Sequence, residues 1–144
     1  MAFRSGASNL AADDANGVLD IFVRDMETGI TKRVSVSTAG TEANGESRFP
    51  GISSDGRYVA FQSAASNLAA DDTNGVIDVF VHDTETGTTV RVSLKAAGVE
   101  ADGDSTGASI SADGQYVTFT SNATNLLEGA VSSGVRQVYR VRRQ

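Results

Sequence analysis

The stretch "AFRSGASNLAADDANGVLDIFVRDMETGITKRVS", residues 2–35, returns as "AFQSAASNLAADDTNGVIDVFVHDTETGTTVRVS", residues 60–93, and begins again as "TFTSNATNLL", residues 118–127. Both steps are 58 residues, and residues 2–59 laid on 60–117 without a gap agree at 37 of 58 positions. A fixed period of this length marks a tandem-repeat architecture, so the repeat decides the fold before any residue is read for chemistry. The 144 residues hold about 2.5 units (144/58).

The complete unit reads as four strands. "PGISSDG" gives a short strand, Pro50 to Ser53, closed by Asp55-Gly56, a strong hairpin signal because both residues tolerate positive φ. "RYVAFQS" supplies a second strand, Tyr58 to Ser63, and the polar stretch "AASNLAADDTNG" follows it. "VIDVFVHD" is a third strand, Val76 to His82, and "TETG" turns at Gly87. "TTVRVSL" is a fourth, alternating Val90, Val92 and Leu94 with Arg91 and Ser93. Val79 and Val81 point to one face and Phe80 to the other, so both faces of this strand are apolar. A repeated antiparallel meander buried on both faces fits propeller blades packed face to face. A parallel β-helix needs far shorter rungs, a β-sandwich needs no near-identical units, and no stretch keeps a 3.6-residue period.

"ISSDGRYVAFQS" (52–63), "ISADGQYVTFTS" (110–121) and "DVFVHDTETGTTVRVS" (78–93) resemble the WD40-like PD40 repeat of TolB-type bacterial β-propellers. The resemblance covers almost the whole chain and is specific for fold rather than function. It implies a ligand- or protein-binding propeller from an exported bacterial protein, periplasmic or extracellular, or the propeller portion of a hydrolase. The long "SNLAADDTNG" insert departs from the family's usual link.

The expected organisation is an all-β propeller segment: an incomplete blade over 1–46, a complete blade over 47–104 and an incomplete blade over 105–144. The strand tally is three, four and three: Ala2 to Ser5 would be a second strand, and the last blade would hold strands near Ala108 to Ser111, over Tyr116 to Ser121 and at "QVYRVR". Closed propellers have four to eight blades, so the chain reads as a piece of a longer propeller or as a building block whose copies close the ring. A homodimer of six blades is expected, with five if strands are shared at the seam.

Composition limits the function. Twelve Lys and Arg against eighteen Asp and Glu give a net charge of −6, which disfavours nucleic acid as a partner. No run of eighteen apolar residues is present, so no membrane span is expected. The N-terminus carries no charged-then-apolar signal segment, and the chain has no cysteine. No catalytic constellation emerges. His82 is the single histidine, no G-x-S-x-G elbow occurs, and the serines recur at repeat positions. The expectation is a non-catalytic structural module that self-assembles, with no cofactor.

One cluster invites a second reading. "AADDANGVLD" (11–20) and "AADDTNGVID" (69–78) gather Asp14, Asn16 and Asp20, then Asp72, Asn74 and Asp78, oxygen ligands of the type calcium takes. Their spacing does not match an EF-hand, and an Asn-Gly turn flanked by acids accounts for the same residues. The third copy, "LLEGAVSSGVRQ" (126–137), lacks every Asp. Asp25 and Asp83 are expected to accept backbone N–H groups in the turns that follow them. Arg33 and Arg91 are expected to pair with nearby acids.

Overall fold

A computed structural model describes residues 1–127 and 135–143, and it is built from three antiparallel sheets. The first orders β1 (Ala2–Ser5), β2 (Asp20–Arg24) and β3 (Thr31–Arg33) side by side. The second orders β4 (Ser47–Ile52), β5 (Tyr58–Ser63), β6 (Asp78–Asp83) and β7 (Thr89–Arg91), and the third β8 (Ser105–Ile110), β9 (Tyr116–Ser121) and β10 (Gln137–Arg142). The strands therefore number three, four and three, as the repeat implies. A single 3₁₀ turn, Ala96–Gly98, is the remaining helical element among the described residues. None of their helices is long and apolar enough to cross a membrane.

Several strand limits differ from the sequence expectation. The inner strands start earlier, at Ser47 and Ser105, because their hydroxyls bond across the pair to Ser63 and Ser121, each at 3.0 Å. The third strand of the complete blade starts at Asp78 rather than Val76, since Asn74 folds the residues before it into a turn. The fourth is only Thr89–Arg91, because Ser93 turns inward to Asp78. At the Asp-Gly hairpins only the glycines, Gly56 and Gly114, take positive φ. Asp55 instead caps its turn by accepting from Ser53 Oγ at 2.5 Å and Arg57 N at 3.0 Å.

Two apolar cores lie between the sheets, and they are one residue set displaced by the repeat. Ala2, Ile21, Val23, Val34 and Ala43 of the first blade pack on Val59, Phe61, Ala65, Leu68 and Phe80 of the second. Their counterparts Ala60, Val79, Val81, Val92 and Ala101 pack on Val117, Phe119, Ala123, Leu126 and Tyr139. Leu68 and Leu126 show what the long insert does: it folds back and drops a leucine into the core. Each such side chain contributes roughly 1.5–3 kcal/mol when fully buried. Every blade also stacks an aromatic pair across its two middle strands or their equivalents: Phe3–Phe22, Phe61–Phe80 and Phe119–Tyr139, with centroids 5.8, 6.0 and 5.5 Å apart.

The links between blades run close to the next strand. A Cβ on Gly45 would meet the Ala64 carbonyl at 2.8 Å, and one on Gly103 would meet Ala123 N at 3.1 Å. Only glycine fits at 45, while a side chain at 103 would force Asn122 and Ala123 to give way. The inner strands carry matching bulges, Arg48 to Gly51 and Thr106 to Ser109. The second holds Gly107 at φ 68°, whereas the first holds Phe49 at φ 54°, the one non-glycine residue of positive φ among those described. The Phe49 ring lies under the Arg4 guanidinium, 5.6 Å from centroid to Cζ.

Candidate functional site

The aspartate loops close around arginine. In the second blade Arg91 Nη1 reaches Asp72 Oδ1 at 3.0 Å, Asp78 Oδ2 at 3.3 Å and Glu100 Oε1 at 2.8 Å. Its Nη2 donates to the Asp71 carbonyl at 2.8 Å. The side chains of Arg91, Asp72 and Asp78 are 4%, 2% and 0% exposed, so the guanidinium and two of its three carboxylates are out of water. Asn74 and Asp78 meet as the sequence suggested, but directly: Asn74 Nδ2 donates to Asp78 Oδ2 at 2.9 Å and to the Ala101 carbonyl at 3.0 Å. Ser93 Oγ donates to the other Asp78 oxygen. Glu100 accepts from Thr73 N at 2.8 Å and Thr73 Oγ1 at 2.6 Å.

The first blade repeats the arrangement more loosely. Arg33 lies 3.3 Å from Asp13, 3.4 Å from Asp14 and 3.0 Å from Glu42, and the Asp13 side chain is 74% exposed. Asn16 Nδ2 donates to Asp20 at 2.8 Å, and Ser35 Oγ donates to Asp20 at 2.5 Å. In both blades the arginine Nε is buried without a hydrogen-bond partner, and Asp72 Oδ2 shares that condition. Burial, with Asp20 or Asp78 nearby, pushes the Asp14 and Asp72 carboxyls above their usual range, against the pull of the arginine.

The donor set suits a guanidinium. Asp14, Asn16 and Asp20 are brought together, as are Asp72, Asn74 and Asp78, and an arginine of the same chain pairs with Asp14 in the first blade and with Asp72 and Asp78 in the second. With the guanidinium in place, no group of three His, Asp or Glu side chains among the described residues is placed to hold a metal ion. The stretch 128–134, which holds most of the third copy of the loop, lies outside the described residues. Sequence reasoning placed Arg33 and Arg91 beside acids but missed Glu42 and Glu100. Their one signal was recurrence at the 58-residue spacing.

The turn acids behave as expected. Asp25 Oδ1 accepts from Glu27 N at 2.8 Å, and Asp83 Oδ1 accepts from Glu85 N at 3.0 Å. Asp83 is also gripped by Arg57, at 3.0 and 2.8 Å. That grip is the main reason its carboxyl falls to about 2. Thr73 chiefly, then Arg91, hold Glu100 at about 2. His82 is buried and meets Thr89 Oγ1 through Nδ1 at 2.9 Å, not a serine.

A cleft of about 590 Å³ opens between the first two blades, lined by Val23, Arg24, Lys32, Ile52, Gly56 and His82 among others. The matching corner between the second and third blades is filled by the Tyr58 ring. Arg57 and Arg143 lie on it at 4.9 and 3.5 Å, and it abuts Gly114, the counterpart of Gly56.

No protein-family model and no curated protein matches the chain. Solved structures share its fold. One, from Agrobacterium tumefaciens and described as a TolB, superposes with a TM-score of 0.55 at 17% identity, over 89% of this chain and 39% of its own. A TolB from Acinetobacter baumannii gives 0.47 at 22% identity, over 90% of this chain and 25% of its own. The fold is thus that of TolB-type propeller blades, and the chain spans well under half the length of these structures.

Proposed function

We propose that the chain is a non-catalytic run of propeller blades acting as an assembly scaffold, and that a second copy covers its open blade face so that two chains close one ring. The observation that carries the reading is a third appearance of the interblade residue set. Phe3, Ala7, Leu10 and Phe22 are the counterparts of Phe61, Ala65, Leu68 and Phe80 by the 58-residue spacing. Yet they face away from the second blade, and although Phe22 is fully buried under Phe3, Phe3 and Leu10 are only half-buried and Ala7 is exposed. Leaving such a face wet is unfavourable by about 25 cal/mol per Å². The other side of the seam is more polar. Thr118, Val138 and Arg140 stand where the second blade has Ala60, Val79 and Val81, and Val138 is 77% exposed. Association through this seam is therefore weaker than the packing between blades of one chain.

A second reading is favoured by the fold likeness, which takes in 89% of this chain but 39% of its neighbour. In it these blades belong to a TolB-like binding propeller of an exported bacterial protein, and blades of the same polypeptide cover the first. Light scattering on the 144-residue chain separates the two. A species of 29.8 kDa (2 × 14.9) that Phe3→Arg dissociates supports self-closure. A stable 14.9 kDa monomer at micromolar concentration overturns it and leaves the TolB-like reading.

A further inference from the structure

His82 breaks the repeat at a contact between blades. Its place is taken by Arg24 in the first blade and, by strand register, by Val141 in the third. Thr89 Oγ1, 2.9 Å from His82 Nδ1, donates its own proton to the Val36 carbonyl at 2.5 Å. His82 must then donate through Nδ1–H, which fixes the neutral tautomer and leaves Nε2 as the free base. Thr89 N donates to Thr38 Oγ1 at 3.0 Å, and Thr38 Oγ1 donates back to the Thr89 carbonyl at 3.2 Å. Val36 and Thr38 belong to the segment leaving β3, whereas Thr89 opens β7. The imidazole thus braces three hydrogen bonds that cross from the first blade to the second.

A proton on Nε2 would add a positive charge to a cleft that already holds several. From the first blade the cleft is faced by the amino terminus, Arg24, Lys32 and Arg33, with Asp25 and Glu27. From the second blade come Asp55 on the β4–β5 turn and, next to His82, Asp83 with its Arg57. Asp25 and Asp55 are held by their own turns and Asp83 by Arg57, while Glu27 is exposed. No described carboxylate is hydrogen-bonded to the ring.

We propose that His82 is a proton-operated latch: neutral, it holds the Val36–Thr38 segment on β7, and protonated, it releases it. Burial keeps the imidazole pKa below its usual value, which agrees with this direction. An opened histidine titrates near 6.5. The latch is therefore at full strength above that pH and weakens as pH falls below it, up to about tenfold in the opening constant per pH unit until the closed-state pKa is passed. The seam between the second and third blades has Val141 at this register and serves as an internal control.

The test is amide hydrogen exchange on the whole chain at pH 7.5 and 5.5, corrected for intrinsic rates. Protection of the Thr89 amide should fall about tenfold, while that of Ser105, bonded to the Ile77 carbonyl at 2.7 Å, stays level. His82→Gln, whose amide can still donate to Thr89 without titrating, should abolish the fall. Parallel loss at Thr89 and Ser105, or an unchanged fall in His82→Gln, overturns the latch. Should the variant not fold, the wild-type imidazole resonance decides. A midpoint below 6.5 supports the proposal, and one at or above 6.5 refutes it.

Discussion

Replacing Arg91 by Met should be among the most damaging single changes in this chain. The substitution keeps most of the aliphatic stem and removes the guanidinium. It leaves Asp72 and Asp78, 2% and 0% exposed, facing Glu100 with no cation between them. Removing one member of a buried ionic cluster strands its partners, and such changes cost about 3–5 kcal/mol. Folded domains have about 5–15 kcal/mol in all, so the melting temperature should drop on the order of 10 °C. The matching Arg33→Met is the built-in control. Its partner Asp13 is 74% exposed and its contacts are longer, 3.3 and 3.4 Å to the two aspartates. Its loss should lie between surface and buried ion pairs, about 1–3 kcal/mol. Urea unfolding followed by circular dichroism gives both values. A cost under about 1 kcal/mol for Arg91→Met, or a larger cost for Arg33→Met, would refute the claim that the buried guanidinium organises the loop.

Phe80→Ala should lose about 3–5 kcal/mol in urea unfolding, as should Phe22→Ala, since both rings are fully buried in equivalent stacked pairs. Glu85→Ala, at an ion pair whose acid is 63% exposed, should stay within about 0.5 kcal/mol. Asp83 and Glu100 titrate near 2 in the fold, below ordinary values of 3.8 and 4.5, so their stabilisation is complete above about pH 4.5 and fades as pH falls toward 2. Asp14 and Asp72, shifted upward, act in the opposite sense, and Asp83→Asn should flatten the acid decline in urea midpoint. Calcium or a chelator should leave the wild-type melting curve unmoved because the guanidinium already fills the loop. Calcium should raise the melting temperature of Arg91→Ala, where Asp72, Asp78, Glu100 and the Asp71 carbonyl are left open to a hard cation. A calcium shift in the wild type would instead show that Asp72, Asn74 and Asp78 hold metal.

The parts of this fold that were legible in the sequence are those that depend on local pattern. The 58-residue period set the three, four and three strands. Alternation along Val79, Phe80 and Val81 showed a strand covered on both faces. What escaped notice depends on contacts between distant segments. Asp72 and Asn74 could be read as a turn or as a ligand loop because a loop is read with its neighbours. The cation that answers Asp72, Arg91, comes from β7, and Glu100 comes from the link to the next blade. Ser47 and Ser105 extend the inner strands through hydroxyl pairs rather than apolar side chains, so hydrophobic pattern missed them. Phe49 sits where the next copy has Gly107, and that mismatch was the only sign of an unusual backbone. A bulky residue there carries strain of roughly 1–3 kcal/mol.

Blade-on-blade packing is tested most directly by a cross-link between inner strands. A Cβ built on Gly51 lies 3.7 Å from Ser109 Cα, across the seam between the second and third blades. That approach suits a disulfide, whose Cα atoms usually lie about 4.4–6.8 Å apart. The chain has no cysteine, so Gly51→Cys with Ser109→Cys leaves one possible intramolecular bridge. Stacked blades predict that mild oxidation consumes both thiols within one chain, seen by mass spectrometry as the loss of two hydrogens and a single disulfide-linked peptide pair. Two thiols that stay free and react with alkylating reagent in the folded protein would contradict the stack.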